Sequence, residues 1–326
     1  MNDAAKIGIV AIGRNEGERF KACLKSLIGS SSRIVYVDSG STDGSVEFAQ
    51  KHGAAVVELS AEIAFTASRA RNAGFGLLRE KWPDTEFVMF IDGDCVLSGD
   101  FIDAALSKMI AAPRLGIVTG RCRERYPDAT IYNRLCEIEW NGPVGEIDAC
   151  GGIFVVRTRA FEEVDGFNPA IIAAEDDDFC IRVRELGYLI IRIDTDMCFH
   201  DADIHRFSQW WRRMVRAGHA YAQLSEIHDG YFAGQRRRAW LWGLILPSLA
   251  LIGVPFSSGL SLLIFLLYPL SFIRTRQGLI KAGNKNQHAT LAAVFLTLSK
   301  FPNLKGMIEY RIKKLKSREI GIVEYK

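Results

Sequence analysis

The chain has 326 residues, 48% hydrophobic and 24% charged, the balance of a folded globular protein rather than a disordered one. A formal net charge of +3 is too small for a general nucleic-acid binder, so no nucleic-acid partner is expected. Seven cysteines, odd in number, irregularly spaced and without a Cys-x-x-Cys pair, follow a polar opening that lacks a secretory pattern, and they read as reduced thiols filling small core positions in a cytosolic compartment.

The first part of the chain alternates β-rich runs with helical periodicity. A strand is expected over 7–12, then a helix over 16–28 with Phe20, Leu24 and Leu27 on one face. A strand over 33–37 is followed by a turn over 39–44 and a helix near 45–51. Next come a strand over 55–59, a helix over 68–80 and an unbroken apolar strand over 87–91. Strands recurring between helices imply an α/β domain whose mostly parallel central sheet has helices on both faces. Ligands of such sheets bind at the carboxyl ends of the strands, where both Asp38 and Asp92 fall.

A helix over 100–112 and a strand over 116–123 follow. The pattern then loosens over 123–146, where Pro127 and Asn141-Gly142-Pro143 mark a loop-rich segment. A strand over 148–156, a helix over 177–187 and a strand over 189–193 close the domain, and 205–224 has the spacing of a basic amphipathic helix.

Composition changes at Arg236-Arg237-Arg238. Residues 239–273 carry no charged side chain. As one helix they would run about 50 Å, against a hydrocarbon core of about 30 Å. Pro255-Phe256-Ser257-Ser258-Gly259 supplies a turn midway, and Arg274, Arg276 and Lys281 mirror the basic residues before the stretch. The expectation is a C-terminal apolar helical hairpin at the cytoplasmic face of the cell membrane, with membrane lipids as partners. A buried hairpin on a soluble core, or an oligomer interface, is the other reading. Residues 289–298 are too short to span, and the basic tail (Lys305, Arg311, Lys313, Lys314, Lys316, Arg318) suits anionic headgroups or a solvated face. The division expected is a catalytic domain over 1–235 and a helical region over 236–326.

Four constellations carry chemistry. Phe87-Val88-Met89-Phe90-Ile91-Asp92-Gly93-Asp94 delivers two carboxylates to the sheet edge. Alternation along an extended chain would point both the same way, as a hard divalent cation (Mg²⁺ or Mn²⁺) bridging a diphosphate requires. The same residues also fit a short turn that binds nothing. Val37-Asp38-Ser39-Gly40-Ser41-Thr42-Asp43-Gly44 places Asp38 where it can accept from a base or ribose, with Asp43 as an Asx-type turn before the next helix. Ala70-Arg71-Asn72-Ala73-Gly74 offers an arginine to a phosphate, or an ordinary exposed helix arginine. Cys150-Gly151-Gly152 and the acidic run Glu175-Asp176-Asp177-Asp178 suit a helix start that also presents a base to an acceptor hydroxyl.

In this order, together with Gly13-Arg14-Asn15-Glu16 and Gly166-Phe167, these segments resemble the family 2 glycosyltransferases of the GT-A fold over about residues 7–221, roughly two thirds of the chain. The resemblance implies inverting transfer from a nucleotide-sugar donor to a glycan or lipid-linked acceptor, within polysaccharide or glycolipid synthesis. Carried over residue by residue, Asp38, Gly13 and Glu16 would line the nucleoside pocket, and Arg71 would lie near the phosphates. Asp92 and Asp94 would meet the ribose and the metal-diphosphate, with His200 a third metal ligand or a satisfied core histidine. Gly151, Gly152, Glu175 and Trp211 would face the sugar or the acceptor, and Asp176 would be the general base. Gln209-Trp210-Trp211-Arg212-Arg213 lacks the tryptophan that ends the Gln-x-x-Arg-Trp pattern of processive synthases, so one sugar per encounter is expected. Two other readings stay open: a haloacid-dehalogenase-type phosphatase with Asp92 as nucleophile, and an inactive membrane-bound nucleotide-sugar-binding protein.

Overall fold

A computed structural model describes residues 6–316. The polar opening over 1–5 and Arg318 of the basic tail lie outside the described residues. The elements in chain order are β1 (Ile7–Gly13), α1 (Glu18–Ile28), β2 (Ile34–Asp38), α2 (Ser45–Lys51), β3 (Ala55–Glu58), α3 (Ala67–Lys81), β4 (Phe87–Asp92) and β5 (Cys95–Leu97). They continue with α4 (Phe101–Ala111), β6 (Leu115–Glu124), α5 (Ile131–Trp140), β7 (Gly145–Glu146), β8 (Phe154–Arg157), α6 (Thr158–Glu163), α7 (Glu175–Glu185) and β9 (Leu189–His200). Last come α8 (Phe207–Ile227), α9 (Ala233–Trp240), α10 (Leu246–Ile252), α11 (Leu267–Lys281), α12 (Asn286–Leu298) and α13 (Lys300–Leu315).

The chain divides into two compact units. The first takes the residues up to Tyr126 together with Glu139–Ala202, and the second takes Pro127–Ile138 with everything from Asp203 on.

The first unit is built on one sheet in the order β3-β2-β1-β4-β8-β6-β9-β5, with β7 added along β9. β1, β2, β3 and β4 run parallel, as the strand–helix alternation demands. Beyond β4 the sheet is mixed and not mostly parallel: β8 is antiparallel to both β4 and β6, and β5 and β7 are antiparallel to β9. The strand expected over 148–156 is only the four residues of β8, Phe154–Arg157, and the chain re-enters the sheet there in the reverse direction. Apolar side chains fill both faces. Phe20, Leu24 and Leu27 of α1 pack with Ile9, Ala11 and Met89 on one, and Phe90, Phe154, Phe161, Phe167 and Phe179 gather on the other. Close approach of α3 to the sheet depends on Gly74, where a β-carbon would fall 2.3 Å from Val10 Cγ1.

The loop-rich segment expected over 123–146 instead contains α5, whose only buried residues are Asn133 and Cys136, so no strong apolar stripe announced it.

In the second unit α8 packs on α13, with Ala222, Ala239, Leu304, Met307 and Tyr310 as its core. The apolar stretch 239–273 is broken. A π turn at Leu241–Ile245 joins α9 to α10, and 3₁₀ segments at Val254–Phe256 and Leu260–Leu266 then divide the stretch before α11, with Pro255 and Gly259 among the residues that break the helix. Among the described residues no helix is long and apolar enough to cross a membrane. That overturns the expected membrane hairpin and the placement at the cytoplasmic membrane face that rested on it.

Candidate active site

The carboxyl ends of β1, β2 and β4 bring the sequence motifs together. Gly13 pairs with Asp38 across β1 and β2, and Gly93 N–H donates to Ile12 O at 2.7 Å. The two loops that follow β1 and β2 are stitched side by side. Asn15 N–H donates to Ser41 Oγ at 2.9 Å, Thr42 N–H to Asn15 Oδ1 at 2.8 Å, and Gly17 N–H to Asp43 Oδ2 at 2.7 Å. Asp43 also accepts from Ser45 N–H at 3.1 Å, the Asx-type turn read from the sequence.

Asp38 is 2% exposed and its carboxylate already has partners. Tyr36 Oη–H donates to Oδ1 at 2.8 Å, while Gly40 and Ser41 N–H donate to Oδ2 at 2.8 and 2.7 Å. A carboxylate offers about four lone-pair sites, so about one remains for an incoming N–H or hydroxyl. Burial, together with the charge of Asp38, pushes the Tyr36 phenol far above its ordinary range, so it stays a donor. Glu16, half-buried at the start of the neighbouring loop, pairs with Arg19 at 2.8 Å.

Asp92 and Asp94 do not lie on one extended run. The strand ends at Asp92, the chain turns at Gly93-Asp94, and β5 begins at Cys95. The two carboxylates therefore divide their partners. Asp92 Oδ1 accepts from Arg71 Nη2 at 3.0 Å, whereas Asp94, 5% exposed, lies 3.2 Å from His200 Nε2 through Oδ2. Burial pushes the Asp92 carboxyl up, and Arg71 opposes it.

His200 ends β9 opposite Cys95, and the ring of Trp140 lies flat against it at 4.6 Å and 5°. Burial disfavours the imidazolium, but the Asp94 carboxylate outweighs it and the His200 pKa is raised well above its ordinary value. The ligand atoms of Asp94, Cys95 and His200 lie within 4.8 Å of one another. Carboxylate, thiol and imidazole together suit a divalent cation. The sequence reading found Asp94 and His200 but took Cys95 for core filling and missed Trp140. A β5 of three residues was too short to register as a strand, and only its pairing with β9 reveals the set.

Arg71 is 2% exposed inside the first unit. Its Nη1 donates to Glu175 Oε1 at 2.7 Å while Nη2 holds Asp92, and the guanidinium sits 5.4 Å over the Phe167 ring. The neighbouring motif residue has its own task. Asn72 donates to Phe167 O at 2.7 Å and accepts from Phe167 N–H at 2.9 Å, fixing the Gly166-Phe167 turn. Gly152 is where it is because a β-carbon there would stand 2.5 Å from Arg71 Nη2. Gly151, φ +79°, turns the chain into that approach.

Glu175 and Asp176 open α7 after Ala174, which takes a left-handed conformation. Burial first, then the charges of Asp177 and Glu175, push the Asp176 carboxyl up to about 8. Like charges crowded at one helix start cannot all ionise freely.

In the second unit, Trp210 is buried against Phe295 and Phe207, while Trp211 is half-buried and touches Phe207. Gln209 is spent on the start of α8, where its Oε1 accepts from Arg206 N–H at 2.9 Å.

Residues 9–165 match the family model described as glycosyl transferase family 2, and residues 134–207 match one described as the N-terminal domain of galactosyltransferase. No curated protein matches the chain by sequence. Among solved structures, the mannosyltransferase PcManGT from Pyrobaculum calidifontis superposes with a TM-score of 0.62 at 18% identity, covering 95% of this chain and 88% of that one. TarS 1–349 of S. aureus superposes with a TM-score of 0.51 at 15% identity, covering 94% and 91%. These likenesses establish a GT-A-like fold. The family match sets aside the phosphatase reading of Asp92. Residues 9–165 form a glycosyl transferase family 2 domain, and the protein is a glycosyltransferase.

Proposed function

We propose that the protein transfers a single sugar from a nucleotide-sugar donor to a hydroxyl of a glycan or lipid-linked acceptor, with inversion at the anomeric carbon. The observation that carries this reading is the convergence of Asp38, Asp92, Asp94 and His200 at one edge of the sheet, with Arg71 tying Asp92 to the start of α7. The similar mannosyltransferase PcManGT was solved with GDP-Man and Mn²⁺, which supports a nucleotide-sugar donor and a cation.

In this reading Gly13, Glu16 and the free lone pair of Asp38 receive the nucleoside. Asp94 and His200, joined by Asp92 or Cys95, would hold Mg²⁺ or Mn²⁺. A cation bound there supplies positive charge to the diphosphate as it departs. Arg71 is a positioning residue on the donor side: buried between Asp92 and Glu175, it holds both carboxylates in place through charge-assisted hydrogen bonds. Asp176 takes the proton of the acceptor hydroxyl as the sugar–oxygen bond forms, and Gly151, Gly152 and Glu175 line the sugar and acceptor side. Inversion follows from attack opposite the leaving diphosphate in one displacement. The expected domain division, catalysis within 1–235, belongs to the same proposal.

The test is Asp176→Asn measured against a panel of nucleotide sugars. Transfer should disappear while cation-dependent nucleotide binding, read by calorimetry, stays as in the parent protein. Transfer near the parent rate would remove Asp176 from the base role. Nucleotide binding without turnover of any donor by the parent protein would instead favour a binding protein that has lost its activity.

A further inference from the structure

The second unit contains a cavity of about 290 Å³ that the reading above does not use. Its polar wall is Arg238 from α9, Ser271 and Thr275 from α11, Thr297 from α12, and Lys300, which opens α13. Trp242 and Leu296 make the remainder apolar. Two cations and several hydroxyls face one space, and no carboxylate is among the lining residues.

Neither cation is matched elsewhere. Among the described residues, Arg238 and Lys300 form no ion pair. Lys300 Nζ reaches only Ser299 Oγ, at 3.4 Å. Burial, then the nearby Arg238, push the Lys300 amine down to about 8, so the pair repels as it stands. Lys300 is half-buried with the exposed Arg238 beside it, so the two like charges repel, and an anion between them relieves that repulsion.

The lining also limits which anion fits. Thr297 spends its hydroxyl proton on Ala293 O at 2.8 Å, which leaves Ser271 and Thr275 as donors beside the two cations. A carboxylate brings one charge and two oxygens, too few for that set. A phosphate monoester brings nearly two charges and three terminal oxygens. A cavity of this size takes a headgroup and the first few carbons of its substituent.

We propose that this cavity binds a phosphate ester, its phosphoryl oxygens between Arg238 and Lys300 and its organic part against Trp242 and Leu296. The proposal goes beyond glycosyl transfer and stands whether or not the donor site works as described. The same chemistry belongs to a small phosphorylated metabolite and to a phosphate carried on a long apolar chain. Two probes separate those sources.

Full-length protein is titrated calorimetrically with glycerol 3-phosphate and with octyl phosphate, in chelator so that a cation-dependent donor site is silent. Both should bind, and both should weaken by about tenfold or more in Arg238→Gln/Lys300→Gln, as expected when charge-assisted hydrogen bonds are lost. Nucleotide binding with Mn²⁺ present should not change in that variant. Tighter binding of octyl phosphate assigns the ligand to a chain-borne phosphate, and equal or weaker binding assigns it to a metabolite. Should the double variant not fold, Arg238→Gln alone, at an exposed position, serves the same comparison. Undiminished affinity in the variants, or no preference for glycerol 3-phosphate over lactate in the parent protein, overturns the proposal.

Discussion

Arg71 Nη1 donates to Glu175 Oε1 at 2.7 Å, a contact between residues 104 apart in the chain that ties α3 to the first residue of α7. With Nη2 on Asp92, the same guanidinium fixes the carboxylate at the end of β4 relative to the acids at the start of α7. Removing it leaves two carboxylates facing each other in a buried setting. Arg71→Leu should therefore lose about 3–5 kcal/mol of stability by denaturant unfolding, because a buried charge stripped of its partner is left uncompensated. Arg71→Lys, with one point charge for two acids, should fold yet transfer sugar poorly.

Gly152 tests the same contact from the other side. A β-carbon at this position stands 2.5 Å from Arg71 Nη2, so Gly152→Ala must move the guanidinium or the loop. The expected cost is about 1–3 kcal/mol of stability, with a fall in kcat larger than any change in nucleotide affinity. Unaltered kcat in a crystal-verified alanine variant would free Arg71 of its positioning role.

The pH profile reports on Asp176. Its carboxyl is pushed up to about 8 by burial and by its acidic neighbours, so below that pH it is mostly protonated. A base acts only when ionised. kcat/KM should therefore climb about tenfold per pH unit up to about pH 8 and level off above. Asp176→Asn should remove that limb along with the activity. A flat profile between about pH 6 and pH 9 moves the base elsewhere.

Metal dependence should follow His200 and its neighbour. His200→Ala takes one donor from the set of Asp94, Cys95 and His200, and the Mn²⁺ concentration for half-maximal nucleotide binding should rise about tenfold or more. Trp140→Ala leaves the donors but removes the ring stacked at 4.6 Å on the imidazole. Its effect should be smaller, about tenfold at most. Binding indifferent to both changes, or to chelator, would falsify the cation reading.

Much of the first unit was legible because its strands and helices follow simple periods. The runs that became β1, β2, β3 and β4 were found within a residue or two, and α3 and α7 likewise. Elements whose sequence signal is weak escaped. β5 has three residues, and α5 buries only Asn133 and Cys136. The reversed strand β8 altered the character of the sheet, because strand direction depends on where the chain re-enters and not on which residues compose the strand. The apolar stretch 239–273 misled for a related reason. Hydropathy counts side chains and is blind to the backbone, and 3₁₀ segments at Val254–Phe256 and Leu260–Leu266 divide the stretch, so among the described residues no helix is long and apolar enough to cross a membrane.

The sequence by itself determined which chemistry-bearing residues end the strands. An apolar run of set length must deliver its next residue to the sheet edge, and Asp38 and Asp92 follow such runs. Only the tertiary structure decided how those residues are spent. Arg71, read as a phosphate contact or an exposed helix residue, is buried between Asp92 and Glu175; Asp94 turns away from Asp92 toward His200; and Gly152 is the space that the guanidinium occupies. Each of these pairings joins segments far apart in the chain. Their partners are set by side-chain packing across the sheet, which no local pattern encodes.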